Sequence, residues 1–339
     1  MKQVNTFDDI LGGQKLIAYM KETAANGTVP HALMLVGEEG SGKKMFANLY
    51  AKALLCENAD AGEPCLRCQS CLQVAAGAHP DIVKIAPEEG KGKGRKSISV
   101  KTVRDTIGDG AFIKPYKGPY KIYIFERAEL MTEEAQNALL KILEEPPSYI
   151  VIMLLSTNEE SLLETVRSRC VIFHTAGVED EQVTEYLQEY LMVPDYLARP
   201  AAAFARGNIG KAAALVSSQE FRQSYDQVIR CFKKGRHAEY DQIVENVQEI
   251  VKDTDTVDRF LELAQLYLRD VLSVRIGEER ELFFADEEEA VTKTAEALSF
   301  RDINTLEKQI FTVKERLEQN VAPDMAMEVL LAGIKEAFK

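Results

Sequence analysis

The residues with the plainest chemistry are Gly37, Gly40, Gly42 and Lys43, in the run GEEGSGKK that follows the apolar Leu33-Met34-Leu35-Val36. The spacing G-x-x-x-x-G-K is that of a phosphate-binding loop. In such a loop backbone N–H groups and a helix N-terminus converge on the phosphates, and the lysine reaches the outer ones. An apolar strand before and a helical run after give the context that a chance glycine-rich turn lacks. The next position departs from the pattern: Lys44 stands where a Ser or Thr hydroxyl would hold Mg²⁺. The far side of such a metal is held by an Asp at the end of a nearby strand, usually beside a glutamate that polarises water. Here the strand Lys121–Phe125 runs into Glu126-Arg127-Ala128-Glu129. Glu126 takes the Asp place and Arg127 that of the glutamate. A guanidinium keeps its proton in proteins, so Arg127 is no base. Two departures around one metal and one water predict no significant hydrolysis. Binding of ATP or ADP without turnover stays open, and so does the plainer reading of Glu126 and Glu129 as surface acids.

A second constellation is Cys56, Cys65, Cys68 and Cys71, or C-x8-C-x2-C-x2-C. Four thiolates suit tetrahedral Zn²⁺, and a set with no open position is structural rather than catalytic. An iron–sulfur cluster is the chemical alternative. Residues 57–64 are polar and turn-forming, so they can fold back to close the site. In a chain of cytosolic character this density favours metal over disulfide. Cys170 and Cys231 stand apart, and Cys231 reads as core.

The elements that must position these groups follow from periodicity. Strand-like runs at 28–36, 81–86, 121–125, 149–156 and 171–173 alternate with helical ones. Near-continuous apolar strands separated by helices predict a parallel sheet covered on both faces. Thr132 caps a helix with the stripe Ala135, Leu139, Ile142 and Leu143, stopped by Pro146-Pro147. Past about Thr175 the strand signal ends. Helices are expected over 179–191 and 200–217, then longer amphipathic ones with stripes at Phe260, Ala264, Tyr267, Val271 and Val274, at Ile303, Leu306, Ile310, Val313 and Leu317, and at Met327, Leu330, Leu331, Ile334 and Phe338.

The chain has 339 residues and a net charge of −13. Length allows two or three domains. The acidic balance argues against a protein that coats itself on DNA unaided, which counts against a zinc-dependent nucleic-acid-binding module. The Gly/Lys-rich stretch Lys91–Arg104 reads as a solvated surface loop rather than a DNA-binding tongue. No basic head precedes an apolar core at the N-terminus and no run is long enough for a membrane, so the expectation is a cytoplasmic protein without membrane contact.

Taken together, ILGGQ (10–14), VPHALMLVGEEGSGKK, the four-cysteine insert, His79-Pro80-Asp81, MTEEAQNALLKILEEPP, LLSTN ending at Asn158, RSRC (167–170) and RGNIGKA (206–212) resemble the delta prime family of bacterial DNA polymerase III clamp-loader subunits, within the AAA+ superfamily. The motifs cover about the first two-thirds of the chain in order. The resemblance implies a P-loop, RecA-like parallel-sheet AAA+ domain at 1–175 with a zinc-binding insert at 56–71. It also implies a small helical lid domain at 176–217 and an all-α collar at 218–339. It implies a largely non-hydrolysing stator in a five-subunit ring, whose partners are the gamma/tau and delta subunits, with the sliding clamp and primer-template DNA met through the complex. Arg169, in the S-R-C run, would point at ATP held by the neighbouring subunit, with Arg167 competing for that role. The plainer alternative for Arg169 is a salt bridge at the sheet edge. Thr157 and Asn158 take the place of a γ-phosphate sensor, and Lys211 the neighbourhood of a second one. His79 is expected to be structural. The alternative function is an active ATPase of the gamma/tau type.

Overall fold

The computed structural model describes residues 4–88, 96–111, 113–234, 240–252, 254–278, 282–319 and 321–338. Residues 91–95 of the Gly/Lys-rich stretch therefore lie outside the described residues. The chain forms two compact units, 1–178 and 179–339, and each is taken by itself.

In the first unit the strands are β1 (Ala32–Val36), β2 (Ile82–Ile85), β3 (Lys121–Glu126), β4 (Ile150–Ser156) and β5 (Val171–His174). They form one sheet in the order β2-β3-β4-β1-β5, every pairing parallel. The helices are α1 (Gln14–Asn26), α2 (Lys43–Leu54), α3 (Gln69–Ala75), α4 (Val100–Ala111), α5 (Glu133–Glu144) and the short α6 (Glu164–Arg167). Alternate residues of a strand face opposite sides, and the core divides accordingly. Leu33, Leu35, Ile124 and Met153 pack with Ile17, Met20, Phe46 and Tyr50 on one face. Met34, Phe125, Ile152 and Leu154 pack with Val103, Ile107, Leu139 and Ile142 on the other. Both faces being covered is why β1 and β4 are buried at every residue and read as unbroken apolar runs. The expected parallel α/β class is what the structure has. Helix α4 runs from Val100 to Ala111, with a break in its dihedrals at Gly108.

The register sets the site. Val36 pairs with Ser156 and His174, and Glu126 with Leu155. The loops leaving β1, β3, β4 and β5 therefore gather at the carboxyl end of the sheet, where open α/β sheets bind ligands. Gly37 is held there by close approach: a Cβ on it would lie 1.9 Å from Thr175 Oγ1. That hydroxyl donates to Val36 O at 3.1 Å and Ser41 Oγ at 2.8 Å. Gly37→Ala must push Thr175 aside and is expected to cost about 1–3 kcal/mol. The measurement is a denaturant midpoint that falls at unchanged m-value.

The second unit is helical: α7 (Asp180–Leu191), α8 (Asp195–Ala205), α9 (Ile209–Ser217), α10 (Gln219–Lys234), α11 (Tyr240–Ile250), α12 (Thr254–Ile276), α13 (Glu288–Ala297), α14 (Phe300–Glu318) and α15 (Pro323–Ala337). Phe260, Ala264, Tyr267 and Val271 of α12 are buried, as are Ile303, Leu306, Ile310 and Val313 of α14 and Met327, Leu330, Leu331 and Ile334 of α15. Stacked pairs Tyr225–Phe284 and Phe232–Tyr267, with ring centroids 4.8 and 4.5 Å apart, mark the centre of its core. One expectation is corrected: the run 200–217 is two helices, and the first begins at Asp195. The break is local chemistry. Arg206 and Gly207 adopt left-handed dihedrals, and Asn208 caps α9 by accepting from Lys211 N–H at 3.0 Å. No helix among the described residues is long and apolar enough to cross a membrane.

Candidate functional site

The loop 37–42 has the backbone its glycines allow, with Gly40 and Gly42 at φ of +88° and +86° and Gly42 as the N-cap of α2. Lys43 folds back over the loop. Its ammonium donates to the carbonyls of Gly37 at 2.5 Å and Glu38 at 2.6 Å. Burial lowers its pKa, partly offset by the nearby Glu129. Lys44 reaches across the site: its Nζ lies 2.6 Å from Glu126 Oε2. The residue that breaks the metal-binding pattern on the loop side thus touches the acid that takes the Asp place. Mg²⁺ wants oxygen ligands in octahedral array. Here one flank is an ammonium and the other a carboxylate already engaged by it, so these residues do not fit that ion.

The other residues named from the sequence have partners of their own. Arg127 sits at φ of +55°, and its Nε lies 3.8 Å from Glu129 Oε1. Glu129 is nearly buried and accepts the backbone N–H of Thr157 at 3.2 Å. Asn158 turns its amide oxygen to the Glu160 N–H at 2.9 Å, capping a short turn of helix. Lys211, in the second unit, places its ammonium 5.1 Å from the centre of the Phe204 ring. Residue chemistry alone did not single out Thr175 and Ser41, which brace the base of the loop. A threonine one residue past a strand carries no signal of its own.

The two arginines differ. Arg167 Nη1 is 3.4 Å from Glu159 Oε1, whose other oxygen is 2.8 Å from His174 Nε2. Its Nε is buried with no hydrogen-bond partner among the described residues. Arg169 has other partners. Its guanidinium donates to Thr165 O at 2.9 Å and to the exposed Glu144 at 3.0 Å.

The four cysteine sulfurs lie within 4.8 Å of one another, with Cys56 and Cys68 at 3.9 Å. Zn–S bonds of about 2.3 Å in a tetrahedron separate sulfurs by about 3.8 Å, so the set fits Zn²⁺. The N–H of Cys65 donates to Cys56 Sγ, that of Cys68 to Cys65 Sγ and that of Cys71 to Cys68 Sγ, at 3.2 to 3.4 Å. Such donors favour thiolates. The N–H groups of Arg67 and Cys68 bring the Cys65 thiol down to about 6, while burial pushes Cys71 up. Leu66 takes a left-handed φ of +62° to turn the C-x2-C corner. Cys170 and Cys231 remain free thiols apart from the cluster, and Cys231 is buried as expected.

The insert is anchored on two sides. Glu63 pairs with Lys21 of α1 at 2.7 Å and accepts the Phe7 N–H at 3.2 Å. On the other side runs a closed ring of polar contacts. Glu57 accepts from Ser70 and pairs with Lys117. Ser70 meets His79 Nε2 at 3.4 Å, and His79 Nδ1 accepts the Asp81 N–H. The Asp81 carboxylate accepts the N–H groups of Tyr116, Lys117 and Gly118. Burial opposes its charge, yet those donors hold its carboxyl below the usual range. His79 is thus a structural link, kept neutral by burial.

Comparison with known proteins adds the lineage. The model of a family described as "DNA polymerase III, delta subunit" matches residues 12–179, and one described as "DNA polymerase III, delta subunit, C terminal" matches 219–336. The DNA polymerase III subunit delta' of Bacillus subtilis is 29% identical over 311 residues, 90% of this chain and 91% of that protein. The subunit delta' of Pseudomonas aeruginosa is 41% identical over 143 residues, 42% of each chain. The DNA polymerase III subunit gamma of Buchnera aphidicola subsp. Acyrthosiphon pisum is 28% identical over 215 residues, 62% of this chain and 57% of that one.

Proposed function

The chain belongs to the DNA polymerase III delta' family, with the AAA+ fold, and on that premise we propose that it is a non-hydrolysing stator of a replicative clamp loader. It joins gamma/tau and delta subunits in the ring that places a sliding clamp on primer-template DNA. It keeps the sheet, loop and Lys43 of a nucleotide engine while leaving turnover to its neighbour. The observation that carries this reading is the Lys44–Glu126 contact at 2.6 Å. A cation and an anion from opposite flanks of the metal position neutralise each other, and Arg127 next to them offers no base.

Three further parts belong to the proposal. Arg169 is the arginine lent in trans to ATP on the adjacent subunit. Its more exposed partner Glu144 supports that over Arg167, which pairs with the less exposed Glu159, an acid that His174 also contacts. The four cysteines hold a structural Zn²⁺ that fixes the insert. Residues 176–217 act as a lid and 218–339 as the collar through which subunits associate.

The test is steady-state ATP turnover by the isolated, full-length chain with Mg²⁺, beside a gamma-type subunit as positive control. Background turnover, with and without primed DNA, is expected. Turnover comparable to the control would replace the stator with an active gamma/tau-type ATPase.

A further inference from the structure

The Lys44–Glu126 contact does more than explain a lost activity. Mg²⁺ in a phosphate loop sits between the residue after the loop lysine and the acid at the end of a nearby strand, and joins the phosphate oxygens. In this chain the first of those residues is a cation. Its Nζ reaches Glu126 Oε2 at 2.6 Å although most of the Lys44 side chain is exposed, while Glu126 is mostly buried at the end of β3. An ammonium has three donors and no acceptor. It cannot be a metal ligand, but it can neutralise the acid, so that Glu126 does not repel an incoming phosphate, and offer that phosphate its remaining donors. Lys43 and the N-terminus of α2 supply the rest of an anion cradle, with Gly40 and Gly42 in left-handed conformation.

We infer that the Lys44 ammonium stands in the place of the loop's divalent ion, so that a nucleoside polyphosphate is held here without metal. The inference rests on the reading of this loop as non-hydrolysing but goes past it. A degraded loop would bind nothing, whereas a loop with its own cation binds ADP equally well with and without Mg²⁺.

The experiment uses the full-length chain and ADP carrying a fluorescent ribose label, titrated with Mg²⁺ and in buffer freed of divalent ions on a chelating resin, so that no soluble chelator attacks the cysteine site. A parallel titration follows Mn²⁺ by electron paramagnetic resonance in the presence of ADP. The unaltered chain is expected to bind ADP with affinities that differ by less than about twofold between the two buffers, and to order no Mn²⁺. Lys44→Thr restores a hydroxyl; Mg²⁺ should then tighten ADP by about tenfold or more, and Mn²⁺ should become ordered. Lys44→Arg keeps a cation and should behave as the unaltered chain. Lys44 is exposed on the first turn of α2, so both variants are expected to fold, as circular dichroism would check. Metal-dependent tightening in the unaltered chain, no gain in Lys44→Thr, or no ADP binding in either buffer would each overturn the inference. The last of these leaves the stator reading standing, whereas metal-dependent ATP turnover by the unaltered chain removes both.

Discussion

A clamp loader reassembled with Arg169→Ala in this subunit is expected to lose its DNA-stimulated ATP turnover by at least about a hundredfold, because arginines supplied in trans contribute on the order of 10³ to 10⁵ in rate. The prediction rests on how the side chain is held. Arg169 leans on Glu144, itself half exposed, and on one carbonyl. An exposed ion pair of this kind is worth about 0–1 kcal/mol, a small cost for swinging the guanidinium to a phosphate. Arg167→Ala is the informative companion. It breaks the contact with Glu159 and frees that acid to His174 alone, so it should lower stability of the isolated chain more than it lowers turnover. Gel filtration of both variants with their partners separates lost catalysis from lost assembly. If Arg167→Ala collapses turnover while Arg169→Ala spares it, the finger has been placed on the wrong arginine.

The second large effect concerns the cysteines. Purified chain is expected to carry one zinc per molecule by atomic absorption, and Cys56→Ser to carry much less. Structural zinc sites contribute on the order of 10 kcal/mol to small domains that depend on them. Here the insert is also pinned by Glu63 and by the ring through Glu57, so the loss is expected to be smaller, about 3–5 kcal/mol. For a unit of this size that is a fall of about 10 °C in Tm. Reductant alone should leave Tm unchanged and a strong chelator should lower it. The reverse pattern would mean that the sulfurs pair with one another instead of with a metal, and iron in place of zinc would point to a cluster.

Much of this was legible in the sequence because the signals were local. The loop glycines, the strand before them and the C-x2-C-x2-C spacing each lie within a few residues. Thr132 accepts from Ala135 N–H at 3.2 Å, the cap its place before two glutamates predicts. Gly277 closes α12 at φ of +70°, and Pro323 opens α15. What stayed hidden depended on pairing. That Lys44 breaks the loop pattern and that Glu126 takes the Asp place could be read one at a time; that they bind each other needed β3 and β1 placed on either side of β4. The partners of Arg169 and Arg167, Glu144 and Glu159, come from other elements. The helix break at Arg206 was missed because an arginine in left-handed conformation has no compositional mark; Gly207 and Asn208 beside it were the available clue.

The polar ring from Glu57 to Lys117 has a consequence for the life of the protein in the cell. Asp81 immediately precedes β2, the outermost strand on its side of the sheet, and its carbonyl accepts the Ile122 N–H that starts the pairing with β3. The cysteine centre therefore anchors the start of an edge strand through Ser70 and His79. If the four cysteines hold zinc as proposed, a chain starved of it, or with its thiols oxidised, would lose that anchor first at the margin of the sheet. Unpaired edges recruit other chains, so the damage would surface as clumping and clearance of newly made subunits, and replication would slow through scarcity of loaders while each surviving loader ran at full speed.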